Sequence, residues 1–442
     1  MSGSPSAAVG TPTVQVEAVE LAPRGERLQA HLERPAVGDQ ELGFSLPVSG
    51  WALAPEGGKV AVEIAHGRQV LRRLPRGVGR PDIGRAFPAV AGADRSGFSL
   101  LLDALKLPCA FELQVSGIVE GEHTEPIARV RGGRQPFAPL PLNDPAHPAP
   151  LLLTTLGRSG STLLMSLLGE HPQVLAYRPA TDDSRPFAYQ LDAAIAMAAP
   201  ASRMRLLDSA VQGEAWWLGR RAIRYEELRQ LDEPLRELLL GAPVEQLLRS
   251  ALDQAASFAG GLAAAQERPD ARYAAEKCGP GYLPRLLREL CADSREIFLV
   301  RDFRDVLASM LAFNEKRGYA AFGREHVDSD ERFVQWQAVI AATLAAGWRE
   351  RGDGALLVRY EDLVADVPGS LARLLDYLEL DAAPRLVRKL ADRAHARLDR
   401  IQHRTTKSAS ASSGRWRKDL PAPLQELANE AFADPLREFG YA

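Results

Sequence analysis

The chain has 442 residues, 46% hydrophobic and 25% charged, with a formal net charge of -3. That length admits two or three domains with cores of their own, and the near-neutral charge excludes a general polyanion binder, so no nucleic-acid partner is expected and an anion site must be built from local arginines. Three cysteines, Cys109, Cys278 and Cys291, form no CxxC pair and have no histidine cluster beside them, which argues against a disulfide framework or structural metal and for a reducing compartment.

Residues 1–35 read as a flexible N-terminal segment. They lack a basic stretch followed by an apolar core, so no signal peptide is expected, and no apolar run in the chain approaches the roughly 18 residues of a membrane span. A cytoplasmic protein without a transmembrane segment is the expectation. From 36 to 134 the pattern is short and period-two, as in "FSLPVSGWALA", "KVAVEIAHG", "FELQVSGIVEG" and "EPIARVRGG". Such alternation between Gly and Pro breaks predicts antiparallel strands, hence a small all-β sandwich acting as an accessory domain. Residues 135–150, with prolines at 136, 139, 141, 145, 148 and 150, read as a Pro-rich linker.

The texture then changes. "PLLLTTLGRSGSTLLMSLL", "REIFLVRDFRDVLASMLAF" and "GALLVRYEDLVADVPGSLARLL" each read strand, loop, helix. Continuous apolar strands alternating with helices predict an α/β domain over 151–442, a P-loop-like parallel sheet with helices on both faces, whose three loops converge beyond the carboxyl ends of the strands. Residues 186–266 are mostly helical and too long for a simple crossover, and read as a helical cap.

In the first loop, Gly157-Arg158-Ser159-Gly160-Ser161-Thr162 joins a strand to a helix. Backbone N–H groups and the positive helix end then face one point, where phosphate or sulfate is the natural occupant. The triphosphatase form of this loop, G-x-x-x-x-G-K-[ST], is not matched: Thr155 stands at the first glycine and the lysine is absent. In the second unit Arg301 ends an apolar strand and Ser309 lies about two turns along the next helix, two groups that imply a second, separate phosphate. A kinase-like phosphotransferase fits this pair of anion sites less well, and a non-catalytic nucleotide binder of the same fold stays open.

At this point the motifs resemble the sulfotransferase family. "TTLGRSGSTLL" is similar to its 5′-phosphosulfate loop, "VRDFRDVLAS" to its 3′-phosphate motif V-R-[DN]-P-R-D-x-x-x-S, and "SSGRWRKDL" to its C-terminal G-x-W-[KR] loop, in the family's order. Two positions depart from the pattern: Phe303 replaces the usual proline, and Arg158 replaces the lysine of cytosolic members, as in the carbohydrate and protein-tyrosine branches. The resemblance implies 3′-phosphoadenosine 5′-phosphosulfate (PAPS) as donor, with no metal required, and a hydroxyl-bearing acceptor: a glycan, lipid, natural product or tyrosine.

The same resemblance implies the site residues. Arg158, Ser159, Gly160, Ser161 and Thr162 would cradle the leaving group. Arg301 and Ser309 would hold the 3′-phosphate, with Arg415 and Lys418 closing from the C-terminal side. Lys277, in a segment similar to the family's E-K-[TS]-P, would reach the sulfonate or acceptor, with a surface pair to Glu276 as the alternative. Asp183 is the favoured base and Asp182 the alternative, because an acid commonly follows the first helix in this branch; His171 reads instead as a helix C-cap. Tyr360, Glu361 and Asp362 are expected to cap the next helix. Oligomeric state is unconstrained, a homo-oligomer included.

Overall fold

The computed structural model describes residues 13–23, 25–42, 44–120, 123–142, 147–176, 185–198, 242–398 and 412–441. Two compact units emerge: the described residues of Met1–Phe137 with Asp192–Ser250, and those of Ala138–Leu191 with Ala251–Ala442.

The first unit is built from nine strands: β1 (Thr13–Leu21), β2 (Gln29–Arg34), β3 (Gln40–Leu42), β4 (Ser45–Leu53), β5 (Val60–His66), β6 (Gln69–Pro75), β7 (Gly97–Asp103), β8 (Ala110–Val119) and β9 (His123–Arg134). They pair antiparallel into a six-stranded sheet, ordered β3-β1-β9-β8-β5-β6, and a three-stranded sheet, β2-β4-β7. β2 meets β9 and β4 meets β5, which makes the sandwich that the alternation predicts. Val62, Ile64, Leu113, Val115 and Val130 are buried at every second position, as a half-covered sheet requires. A short helix α1 (Pro81–Ala86) sets Ile83 against Trp51 and Leu53.

One expectation fails here. The segment read as flexible to residue 35 supplies β1 and β2, because "TVQVEAVEL" carries the period-two pattern and pairs with β9 from Val14↔Arg134 to Leu21↔Ala128. The Pro-rich stretch is likewise tied at both ends. Phe137 lies 4.6 Å from Phe44, ring centroid to centroid, within the first unit, and Leu140 bridges Cys291 within the second.

The second unit holds a five-stranded parallel sheet of β10 (Ala149–Thr155), β11 (Val174–Ala176), β12 (Tyr273–Cys278), β13 (Arg295–Val300) and β14 (Leu356–Arg359), in the order β11-β12-β10-β13-β14. β10 is buried along its whole length, which is why its sequence is a continuous apolar run. Two strands, β11 and β12, join the three foreseen; Glu276 and Lys277 lie on β12. From β10 the chain passes to β11 and β12 on one side and then to β13 and β14 on the other. The carboxyl ends of β10 and β13 therefore flank the switch point, where a parallel sheet leaves a crevice.

Helices α2 (Ser161–Leu168), α3 (Pro186–Ala198), α4 (Ala242–Ala265), α5 (Tyr282–Leu290), α6 (Phe303–Arg317), α7 (Asp330–Arg351), α8 (Tyr360–Ala365), α9 (Val367–Tyr377) and α10 (Pro384–Leu398) follow in order, and α11 (Trp416–Asp419), α12 (Ala422–Ala431) and α13 (Ala433–Glu438) end the chain. One apolar cluster joins β10 to α2, α9 and α10; a second joins β13 to α6, α7 and α12. Of the stretch read as a cap, α3 and α4 are helical and 199–241 lies outside the described residues. Among the described residues no helix is long and apolar enough to cross a membrane. Among the described residues, Cys109, Cys278 and Cys291 form no disulfide.

Candidate functional site

The loop between β10 and α2 takes its shape from two left-handed residues, Arg158 (φ 66°) and Gly160 (φ 92°), the latter directly before the first turn of α2. Gly160 is required there twice over. Its φ suits glycine, and an added Cβ would stand 2.3 Å from the Tyr360 ring. Gly157 is pressed in the same way by the Phe322 ring. With Ser161 and Thr162 opening α2 and no acidic residue in its first turn, this helix end carries an uncompensated positive potential.

Arg158 turns toward α6. Its Nε donates to Ser309 Oγ at 3.2 Å and its guanidinium lies 5.0 Å from the Phe313 ring centre. Arg301, two residues before α6, donates from Nη1 to the Arg158 carbonyl at 3.0 Å and from Nη2 to the Ser412 carbonyl at 2.5 Å, with its guanidinium 4.8 Å from the Tyr360 ring centre. Arg301 is only 4% exposed, its Nε finds no hydrogen-bond partner, and it has no ion pair among the described residues. Arg415 is buried and its guanidinium is braced by Asp419 through Nε (2.6 Å) and Nη2 (2.5 Å).

The three arginines share one neighbourhood. Burial, and after it the positive charges of Arg301 and Arg415, pull the Arg158 guanidinium down to about 10. It still carries its charge at neutral pH. Positive charge is thus concentrated at the switch point, with Arg415 already paired to Asp419.

Lys277, at the end of β12, reaches Thr162 Oγ1 from Nζ at 3.4 Å, so it belongs to the loop rather than to a surface pair with Glu276. Glu276 points elsewhere. Its two oxygens accept from the N–H groups of Phe187 and Ala188, both at 3.0 Å, and so cap α3, while burial pushes its carboxyl up to about 7. Lys418 is exposed on α11, and its N–H donates to the Arg415 carbonyl at 2.9 Å. Asp182 and Asp183 lie outside the described residues. His171 is buried two residues past Gly169, the C-cap of α2, and its Nδ1 accepts from the Gln173 N–H, so it shapes the turn that follows and is not the helix C-cap it was read as.

Two placements were missed. Tyr360 was expected to do no more than open a helix, yet its ring separates Gly160 from Arg301 and its hydroxyl meets Ser412 Oγ at 2.9 Å. Glu361 does not cap its own helix: it accepts from the Asp302 N–H at 3.2 Å and from the Tyr441 hydroxyl at 2.5 Å, joining the second loop to the C-terminus. The signal was present as a polar Tyr-Glu-Asp run directly after an apolar strand, the position where loops converge. Phe303, in place of the family's proline, starts α6 and packs its ring 5.8 Å from Phe432 and 6.0 Å from Phe439.

Residues 150–384 match the family model described as the sulfotransferase family. Among solved structures, the chain is similar to a sulfotransferase domain from the curacin biosynthetic pathway (17% identity, covering 69% of this chain and 99% of that one, TM-score 0.35). It is also similar to a sulfotransferase from Mycobacterium avium (15%, 67% and 78%, 0.35) and to a mouse sulfotransferase complexed with PAP (13%, 65% and 85%, 0.35). No curated protein matches the chain. With more than half of its residues matched by the family model, and with its parallel sheet and arginine-lined loops inside that match, this chain belongs to the sulfotransferase family.

Proposed function

We propose that the chain transfers a sulfuryl group from PAPS to a hydroxyl of its acceptor. The observation that carries this reading is the gathering of Arg158, Arg301 and Arg415 at the switch point, beside the loop that opens α2. The residues present suit a donor with phosphates at two positions: one end has N–H groups and hydroxyls at a helix N-terminus, and the other has Arg301 with a buried Nε that lacks a partner. At the position of the triphosphatase lysine stands Ser161.

When bound, PAPS supplies an activated sulfuryl group on a phosphate leaving group; the reading calls for no metal. In this assignment Arg158, the N–H groups of Ser159, Gly160, Ser161 and Thr162, and the hydroxyls of Ser161 and Thr162 hold the leaving phosphate and its growing charge. Arg301 and Ser309 hold the 3′-phosphate, Arg415 adds charge from the C-terminal loop, and Lys418 closes at its edge. Ser309 Oγ accepts from Arg158 Nε, so the residues assigned to the two phosphates are joined to each other directly. Lys277, held at Thr162, offers positive charge where the sulfonate meets the acceptor. Asp183 takes the proton of the acceptor hydroxyl, an assignment resting on the sequence pattern alone.

Isothermal titration with 3′-phosphoadenosine 5′-phosphate (PAP), beside ATP with magnesium, tests the reading. PAP should bind, and Arg301→Ala should weaken it by ~10–100-fold, the effect of about 1.5–3 kcal/mol for one charged hydrogen bond. Binding of ATP with magnesium in preference to PAP would overturn the donor assignment.

A further inference from the structure

The second motif, "VRDFRDVLAS", has a residue that donor binding leaves unused. Asp305 sits in the first turn of α6 and is only 1% exposed. Its Oδ2 accepts from the Gly414 N–H at 2.6 Å and its Oδ1 from the Trp416 N–H at 2.9 Å. The two donors flank Arg415. The same turn of α6 also lays the Arg304 guanidinium 4.3 Å from the Trp416 ring centre, and Arg304 is itself fixed by Asp302 through Nε (2.9 Å) and Nη2 (2.7 Å).

A carboxylate buried to this degree is expensive. Burial pushes the Asp305 carboxyl above its usual range even though two N–H groups and Arg301 work the other way. The two hydrogen bonds are charge-assisted and come from main-chain groups rather than from side chains, so what they fix is the course of the chain through 414–416. Gly414 has φ +71°, and the chain turns there before α11 begins. Arg415 is thereby clamped on each side of its own Cα, while Asp419 sets the direction of its guanidinium. Trp416 and Leu420 anchor the segment in the second apolar cluster and Asp419 aims the guanidinium, while the Asp305 bonds fix the main chain on both sides of Arg415.

We propose that Asp305 is a positioning residue that fastens the C-terminal loop to the second motif and so places Arg415 in the donor site. The inference rests on the donor reading above for its functional part. It makes the motif bifunctional: Arg301 and Ser309 face the donor, while Arg304 and Asp305 hold the segment that completes the site.

Asp305→Asn tests it, since the amide keeps the shape but turns one of the two acceptors into a donor facing an N–H. Hydrogen exchange at 414–418 should quicken by more than tenfold in Asp305→Asn, and PAP affinity should fall tenfold or more. Arg415→Ala should lower PAP affinity to a similar extent, and the double variant should bind no more weakly than Arg415→Ala alone. Unchanged exchange at 414–418, or losses that multiply in the double variant, would overturn the proposal. If Asp305→Asn does not fold, exchange in the unsubstituted protein decides: protected amides at Gly414 and Trp416 support the clamp, and unprotected ones refute it. Failure of the unsubstituted protein to bind PAP would defeat the donor reading and with it the functional part, while the exchange data would still judge the clamp.

Discussion

Replacing Gly160 with alanine puts one methyl group at the tightest place in the reactive loop. The added Cβ would lie 2.3 Å from Tyr360 Cδ2 and 2.6 Å from Cε2, whereas carbon atoms pack at about 3.5–4.0 Å. The ring must therefore withdraw by more than about 1 Å, an overpacking cost of roughly 1–3 kcal/mol. Alanine at φ +92° adds about 1–2 kcal/mol for the left-handed backbone. The sum is about 2–5 kcal/mol, or roughly 4–20 °C in melting temperature at about 2–4 °C per kcal/mol. The ring cannot move alone, because it backs the Arg301 guanidinium and its hydroxyl meets Ser412, so PAP affinity should fall with stability. Urea unfolding of Gly160→Ala, Tyr360→Ala and the double variant separates the two costs. With the ring gone, only the backbone share should remain, a coupling of about 1–3 kcal/mol between the sites. A Gly160→Ala variant within about 0.5 kcal/mol of the parent, the usual scatter of neutral surface changes, or strict additivity with Tyr360→Ala, would refute the reasoning.

The other expectations are briefer. Phe303→Pro restores the family's usual residue, but it vacates the space between Phe432 and Phe439; although proline suits the first helical position, the cavity should cost about 2–4 kcal/mol in denaturant unfolding. Glu276 has its carboxyl raised from 4.5 to about 7 by burial, so between those values the unfolded chain releases a proton that the folded chain keeps. Its contribution to stability therefore falls by about 3 kcal/mol as pH rises from 4.5 to 7, and is level above. Glu276→Gln should remove that slope; unfolding curves of the two proteins that run parallel across this range would contradict the assignment.

Much of the site was legible before any fold was known. Gly157 to Thr162 needed only a strand, a glycine turn and a helix in succession, and Arg301 with Ser309 needed only helical spacing. Each is a local pattern, decided within a dozen residues. The N-terminal strand β1 was read as flexible although "TVQVEAVEL" alternates as β5 does, because its pairing partner β9 lies more than 100 residues away. Tyr360, Asp305 and Glu276 were not legible in the same way. Tyr360 meets Gly160 across 200 positions of sequence, and Asp305 meets Trp416 across 111. No spacing rule spans such separations, because they are closed by the strand order and not by the chain.

What the sequence determined by itself was therefore the set of local devices: apolar strands that must be central, a turn that must be glycine, and arginines placed at strand ends. These follow from backbone sterics and side-chain periodicity, which act between near neighbours. Only the tertiary structure decided which devices share one place. The order β11-β12-β10-β13-β14 puts the ends of β10 and β13 side by side, and burial there brings Arg158 and Arg301 together, while Asp305 holds in place the chain on either side of Arg415. Electrostatic crowding and desolvation depend on distance through space, so they exist only once the sheet has formed.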